Sequence, residues 1–211
     1  MPDINAASLK AFGLNCSLRS SASDQESSTD KLIGDFFTAL RPYGVTATIE
    51  RAADYDVKPG VLRDMGPGDA WPSLLAEIME ADIFVLGTPI WLGQPSSIAK
   101  RVLERLDSFL SETDDRNRMP AAGKVALVAV VGNEDGAHAC HAACFQALND
   151  VGFTIPANAG LYWVGEAMQS VDYVDLDHIP DAIATTLQSA ASNSAHLAKL
   201  LKHQGFPGVA E

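Results

Sequence analysis

Seven successive residues, Val125, Ala126, Leu127, Val128, Ala129, Val130 and Val131, carry no polar side chain. In an extended chain, side chains alternate between two faces, so a strand here is apolar on both. Such a strand must be covered above and below, which is the situation of a parallel sheet between layers of helices. Parallel neighbours cannot be joined by a tight turn and need long crossovers, usually helical. The run therefore demands that strands and helices alternate through the rest of the chain.

They do. Leu9 to Leu14 reads as a first strand, and the polar, serine-rich stretch 15–29 as its loop. Residues 30–41 place Leu32, Ile33, Phe36, Phe37 and Leu40 at helical spacing. Pro42-Tyr43-Gly44 ends that helix, and Val45 to Ile49 reads as a second strand. Residues 52–70 are irregular, and a segment of that length inside a domain is usually functional or an interface. A short helix from Pro72 to Met79 leads to a third strand, Asp82 to Gly87. Ile98, Val102, Leu106, Phe109 and Leu110 then predict a helix over 98–112. The apolar run supplies the fourth strand (124–131), Ala137 to Val151 the next helix, and 153–156 with 159–164 an interrupted fifth strand. A last helix starts at 177–180 and stops at Gly205. Five βα units with right-handed crossovers suit the flavodoxin-like strand order 2-1-3-4-5, a three-layer α/β sandwich with helices on both faces.

The 211 residues fit one domain, 1–211, with a sizeable core. A formal net charge of -12 argues against a nucleic-acid partner, because a phosphate backbone needs a cationic face. No apolar run reaches membrane-spanning length, so no membrane partner is expected. No secretion signal is read at Met1-Pro2-Asp3-Ile4-Asn5, and the odd set Cys16, Cys140 and Cys144 suits a reducing, cytoplasmic setting.

Loops after strands 1, 3 and 4 converge at one edge in this topology. After strand 1, Ser17, Arg19, Ser27, Ser28 and Thr29 offer hydroxyls, a guanidinium and the free N–H groups of a helix start, a set that suits a phosphate. The alternative is that Ser28 or Thr29 is only an N-cap. After strand 3, Thr88-Pro89-Ile90-Trp91-Leu92-Gly93-Gln94-Pro95-Ser96-Ser97 is stiffened by two prolines and carries a central aromatic. Its backbone N–H groups would meet a planar heteroaromatic ring, with Trp91 stacked on it or edging it. The alternative is a rigid turn whose Trp91 plugs the core. After strand 4, Gly132-Asn133-Glu134-Asp135-Gly136 allows close backbone approach to a ring; the alternative is that Glu134 and Asp135, Asp135 above all, cap the next helix.

Competing chemistries fail on spelling. Gly13 stands alone, so no G-x-G-x-x-G follows strand 1, and there is no P-loop. A small tyrosine phosphatase built on Cys16 needs an arginine six residues on, where Ala22 stands. No G-x-S-x-G elbow is present. His138, Cys140, His141 and Cys144 crowd one helix without a second ligand cluster, so no metal site is assigned.

Together the three loops resemble the NAD(P)H-dependent FMN reductase and multimeric flavodoxin-like quinone reductase family. Ser17-Leu18-Arg19 with Ser27-Ser28-Thr29 is similar to its phosphate loop, with a longer segment between. Pro89-Ile90-Trp91-Leu92-Gly93-Gln94-Pro95-Ser96 is similar to its isoalloxazine loop, and Gly132 to Gly136 sits where the family has its third flavin loop. The resemblance covers roughly residues 8–165. It implies bound FMN, NAD(P)H as co-substrate and ping-pong hydride transfer to a quinone, a free flavin or another small acceptor. It assigns no side chain as acid or base, and no iron–sulfur cluster. Two other functions fit the same fold: a one-electron flavodoxin carrier, and a binding module without flavin. Tyr55, Val57, Val61, Leu62 and Met65 in the 52–70 segment lead us to expect a homodimer or homotetramer.

Overall fold

The structure, a computed structural model, describes residues 8–167 and 169–209. Its elements run β1 (Leu9–Asn15), α1 (Ser28–Leu40), β2 (Val45–Arg51), α2 (Trp71–Glu80), β3 (Ile83–Trp91), β4 (Gln94–Pro95), α3 (Ser97–Leu106), β5 (Val125–Gly132), α4 (Ala137–Asp150), β6 (Gly160–Val164) and α5 (Asp181–His203). The strands lie in the order β2-β1-β3-β5-β6, parallel throughout, and the two-residue β4 folds back antiparallel on the end of β3. With β4 set aside, this is the expected order 2-1-3-4-5.

The two-sided apolar run behaves as its pattern requires. On β5, Val125, Leu127, Ala129 and Val131 face one core with α1 and α5, while Ala126, Val128 and Val130 face the other with α2, α3 and α4. Ile83 and Val85 of β3 follow the first set, Phe84 and Leu86 the second.

Two glycines set the position of α1. A Cβ on Gly13 would lie 2.7 Å from Ile33, and one on Gly87 would lie 2.6 Å from Ile33 and 2.7 Å from Thr29. Helix α1 therefore lies tight against β1 and β3, with its N-terminus over their carboxyl ends.

The boundaries differ from the sequence pattern in several places, among them α1, which starts at Ser28 inside the expected loop, and α5, which starts at Asp181. β3 runs on through Thr88, Pro89, Ile90 and Trp91, residues expected in a loop. Pro89 pairs with Val131, at the ladder's last position, where a missing N–H does little harm. The long helix after it ends at Leu106 and continues only as a 3-10 turn, Asp107–Phe109. The fifth strand is confined to 160–164, with Thr154 making a single bridge to Val125.

Candidate functional site

A buried knot ties the strand ends together. The Thr88 hydroxyl accepts the Ser96 N–H at 3.0 Å. Ser96 in turn donates its hydroxyl to the Cys16 carbonyl at 2.6 Å and accepts the Ala99 N–H at 3.0 Å as the N-cap of α3. The start of the first loop, the end of β3 and the start of α3 are thus one unit.

Asn15, fully buried, organises the loop after β1. Its Oδ1 accepts the Ser17 N–H at 2.8 Å, and its Nδ2 donates to Ser27 Oγ at 3.0 Å and to Asp30 Oδ1 at 2.6 Å. Ser27 also caps α1 by accepting the Asp30 N–H at 3.3 Å. Arg51, from the end of β2, grips Asp30 Oδ2 through Nε at 2.6 Å and donates to the Ser20 carbonyl at 3.0 Å. Arg19 is held by the Gln25 side chain. Cationic groups and the positive end of α1 therefore meet at the β2–β1 side of the sheet edge.

The turn after β3 is a two-residue hairpin. Leu92 (φ 53°) and Gly93 (φ 73°) are both left-handed, the conformation that type I′ hairpins need. Their amides do not stand open toward a ligand. Leu92 N–H donates to Glu134 Oε1 at 3.0 Å, and Gly93 N–H to Glu134 Oε2 at 3.2 Å. The two loops also touch directly: a Cβ on Gly136 (φ 134°) would lie 2.7 Å from the Gly93 Cα. Trp91 is 52% exposed, so it is a wall rather than a core plug.

These pieces enclose a cleft of about 520 Å³, within the range of small-molecule sites. Of the residues named from sequence, Ser17, Arg19, Ser27, Ser28, Thr29, Pro89, Ile90, Trp91, Gly132, Asn133 and Glu134 line it. Leu92, Gly93, Asp135 and Gly136 do not; they shape the rim behind it. Sequence reasoning missed Arg51, Trp163, Gln169 and Asp172 on the lining. Arg51 and Trp163 stand at the carboxyl ends of the β2 and β6 strands, a position that was itself the available signal. Gln169 and Asp172 belong to the irregular 165–177 segment, which carries no pattern.

That segment closes one side. Asn133 Nδ2 donates to Asp172 Oδ1 at 2.8 Å, Val174 N–H donates to Ser28 Oγ at 3.1 Å, and Trp163 packs on Tyr173 with ring centroids 5.7 Å apart. Tyr173 donates its hydroxyl to Asp35 at 2.8 Å. Burial, then this bond to a carboxylate, pushes the Tyr173 phenol well above its usual range. Asn133 Oδ1 is buried and has no partner among the described residues. That oxygen packs against Gly165, where a Cβ would lie 2.4 Å from it.

The histidine–cysteine helix has a different use. Among the described residues, no group of three or more His, Cys, Asp or Glu is arranged to hold a metal. Cys140 and Cys144 are buried, and burial pushes their thiols up to about 11 and about 12, leaving little thiolate at neutral pH. His141 turns its Nε2 to the Leu161 carbonyl at 3.2 Å and stacks on Phe145.

Among the described residues no helix is long and apolar enough to cross a membrane. Known proteins share this architecture and sequence. A curated relative, 8-demethyl-8-aminoriboflavin-5'-phosphate synthase of Streptomyces davaonensis, is 32% identical over 208 residues, covering 94% of this chain and 80% of that protein. Another, named divalent metal cation transporter MntH of Mycobacterium bovis, is 36% identical over 171 residues, but the match covers 79% of this chain and only 25% of that protein. Among solved structures, RosB with a bound 8-demethyl-8-formylriboflavin-5'-phosphate superposes with a TM-score of 0.85 at 31% identity, covering 95% of this chain and 82% of that one. The apo form of the NADH:FMN oxidoreductase EMOB shares the fold, with a TM-score of 0.63 at 18% identity, over 90% and 89% of the two chains. The family model described as NADPH-dependent FMN reductase matches residues 9–169, and the chain belongs to that family.

Proposed function

We propose that residues 1–211 form one FMN-binding domain and that the chain is an FMN-dependent NAD(P)H oxidoreductase. The observation that carries this reading is the convergence of the three loops on a single cleft with unlike ends. Ser17, Ser27, Ser28, Thr29 and the guanidinium groups of Arg19 and Arg51 would hold the phosphate at the start of α1. Pro89, Ile90, Trp91, Gly132, Asn133 and Trp163 would bound the ring, with Leu92, Gly93, Glu134, Asp135 and Gly136 supporting it from the rim.

Bound FMN would supply two-electron chemistry, taking a hydride from NAD(P)H and returning it with a proton to a quinone or a free flavin. The chain's part is to orient the ring and to leave one face open for the two substrates in turn, the ping-pong order. No acid or base side chain is required. Anaerobic titration of the FMN-loaded protein with NADH and with NADPH, then addition of a quinone, tests this. Bleaching by a nucleotide and recovery by the quinone are expected; bleaching only through an added reductase would make the chain a carrier. Protein that binds no FMN would point to the module without flavin.

A second reading has a specific observation behind it, the match to the aminoriboflavin phosphate synthase over 94% of this chain. In that reading the same cleft takes riboflavin 5'-phosphate as a substrate and replaces its 8-methyl group by an amino group, which requires an added oxidant and an amino donor. A change in the flavin's mass on incubation identifies this activity. For assembly, Val57 is buried and serves the core, whereas Val61 and Leu62 are 62% and 60% exposed. A homodimer or homotetramer would cover them, and sedimentation at 22.4 kDa alone would refute it.

A further inference from the structure

We propose that Glu134 is a positioning residue that clips the Trp91 turn in place as a wall of the cleft, instead of binding the flavin itself. The inference deepens the flavin reading and rests on it only where flavin affinity is read. Its basis is the geometry of two loops distant in sequence. Successive backbone N–H groups in a turn can face one point and make an anion nest. Leu92 and Gly93 form such a nest, and the anion in it is the chain's own Glu134 carboxylate, with one oxygen on each amide.

The arrangement is otherwise unfavourable. Leu92 is 90% exposed and holds a positive φ that leucine seldom adopts. The two-residue hairpin between β3 and β4 imposes that angle, and the bond to Glu134 offsets what leucine loses by adopting it. The close fit of Gly136 against Gly93 lets the carboxylate reach, and any larger residue there would hold the loops apart. The consequence concerns Trp91, the neighbour of Leu92. With the turn clipped, its half-exposed indole stays on the cleft, and the two amides are withdrawn from the ring.

The test is amide hydrogen exchange by NMR, together with FMN and riboflavin titrations, on wild type, Glu134→Ala and Glu134→Gln. In Glu134→Ala, the Leu92 and Gly93 amides should exchange about tenfold faster, while the Ser96 and Ala99 amides of the buried knot keep their rates. Glu134→Gln keeps one acceptor oxygen and should restore protection at one of the two amides. FMN and riboflavin should both bind about tenfold more weakly to Glu134→Ala, leaving their ratio unchanged, because the clip acts on the ring end. Wild-type exchange at Leu92 and Gly93 in Glu134→Ala overturns the clip. Wild-type flavin affinity in Glu134→Ala overturns its role as a wall. Wild-type protein that binds neither flavin refutes the flavin reading, while the exchange data decide the clip independently.

Discussion

Arg105 sits with its side chain wholly buried, and replacing it by methionine gives a stability change that can be worked from its contacts. Its guanidinium donates to Asp69 Oδ2 at 2.8 Å, to the Lys58 carbonyl at 2.9 Å and to the Arg63 carbonyl at 3.3 Å. The group therefore fastens the irregular 52–70 segment onto α3. Asp69, equally buried, also accepts the Met65, Lys58 and Trp71 N–H groups. Burial alone would raise the Asp69 carboxyl; these three amides and Arg105 outweigh it and hold the group below its ordinary range. Removing one partner of a buried ion pair costs about 3–5 kcal/mol. Three amides remain on Asp69, so the lower end, about 3 kcal/mol, applies. For a chain of this size that lowers the melting temperature by roughly 6–12 °C. The double variant Arg105→Met with Asp69→Asn removes both charges and should recover about 1.5 kcal/mol or more over the additive expectation. Urea and thermal unfolding of the four proteins complete the cycle. A loss under ~1 kcal/mol in Arg105→Met, or strict additivity, would refute the claim that this pair holds the segment.

Four further outcomes are expected. Gly87→Ala forces a methyl group to within 2.7 Å of Ile33 and Thr29 and should cost about 1–3 kcal/mol. Gly34→Ala in the same helix α1 meets nothing within 4 Å and should gain about 0.5–1 kcal/mol, so equal melting temperatures for the two would refute the packing argument. Ser27→Ala removes the cap of α1 and the acceptor for Asn15, and should cost about 1–2 kcal/mol by urea unfolding. Burial favours the neutral form of His141, against the opposing pull of its bond to Leu161. Its folded pKa lies below the ordinary 6.5, so the unfolded chain binds more protons in that window. Its contribution is complete above pH 6.5 and is lost as pH falls through and below that value, so His141→Gln should flatten the melting temperature between pH 7.5 and 5.5.

The sheet and its two cores were legible because burial writes itself into sequence locally. Val125 to Val131 can be read as two-sided without knowing any partner, and Leu32, Ile33, Phe36, Phe37 and Leu40 mark the inner face of α1 in the same way. The cleft was legible at the ends of β1, β3 and β5, where loop chemistry sits beside a recognisable strand. It was not legible where two distant segments decide the geometry together. Pro89 looks like a breaker in sequence, yet it ends a ladder whose last partner, Val131, lies on another strand. The 165–177 segment has no period, and its place beside the cleft depends on Tyr173 finding Asp35 and Val174 finding Ser28.

Glu134 carries the same lesson furthest. A carboxylate just before a helix reads as a cap or a ligand for something outside the chain, because local spacing offers it no other partner. Its acceptors are instead filled by amides 42 and 41 residues earlier, exposed only because Leu92 and Gly93 turn left-handed together. Leucine gives no warning of that conformation; the Gly93 beside it and the glycine at 136 are the only local hints. The turn and the loop are thus each half of one device, and neither half states its purpose alone. The sequence-based expectation that the turn's amides face a ring was sound for an isolated turn. The clip changes it, because a charged acceptor from the neighbouring loop competes for the same two donors and meets both at hydrogen-bonding distance.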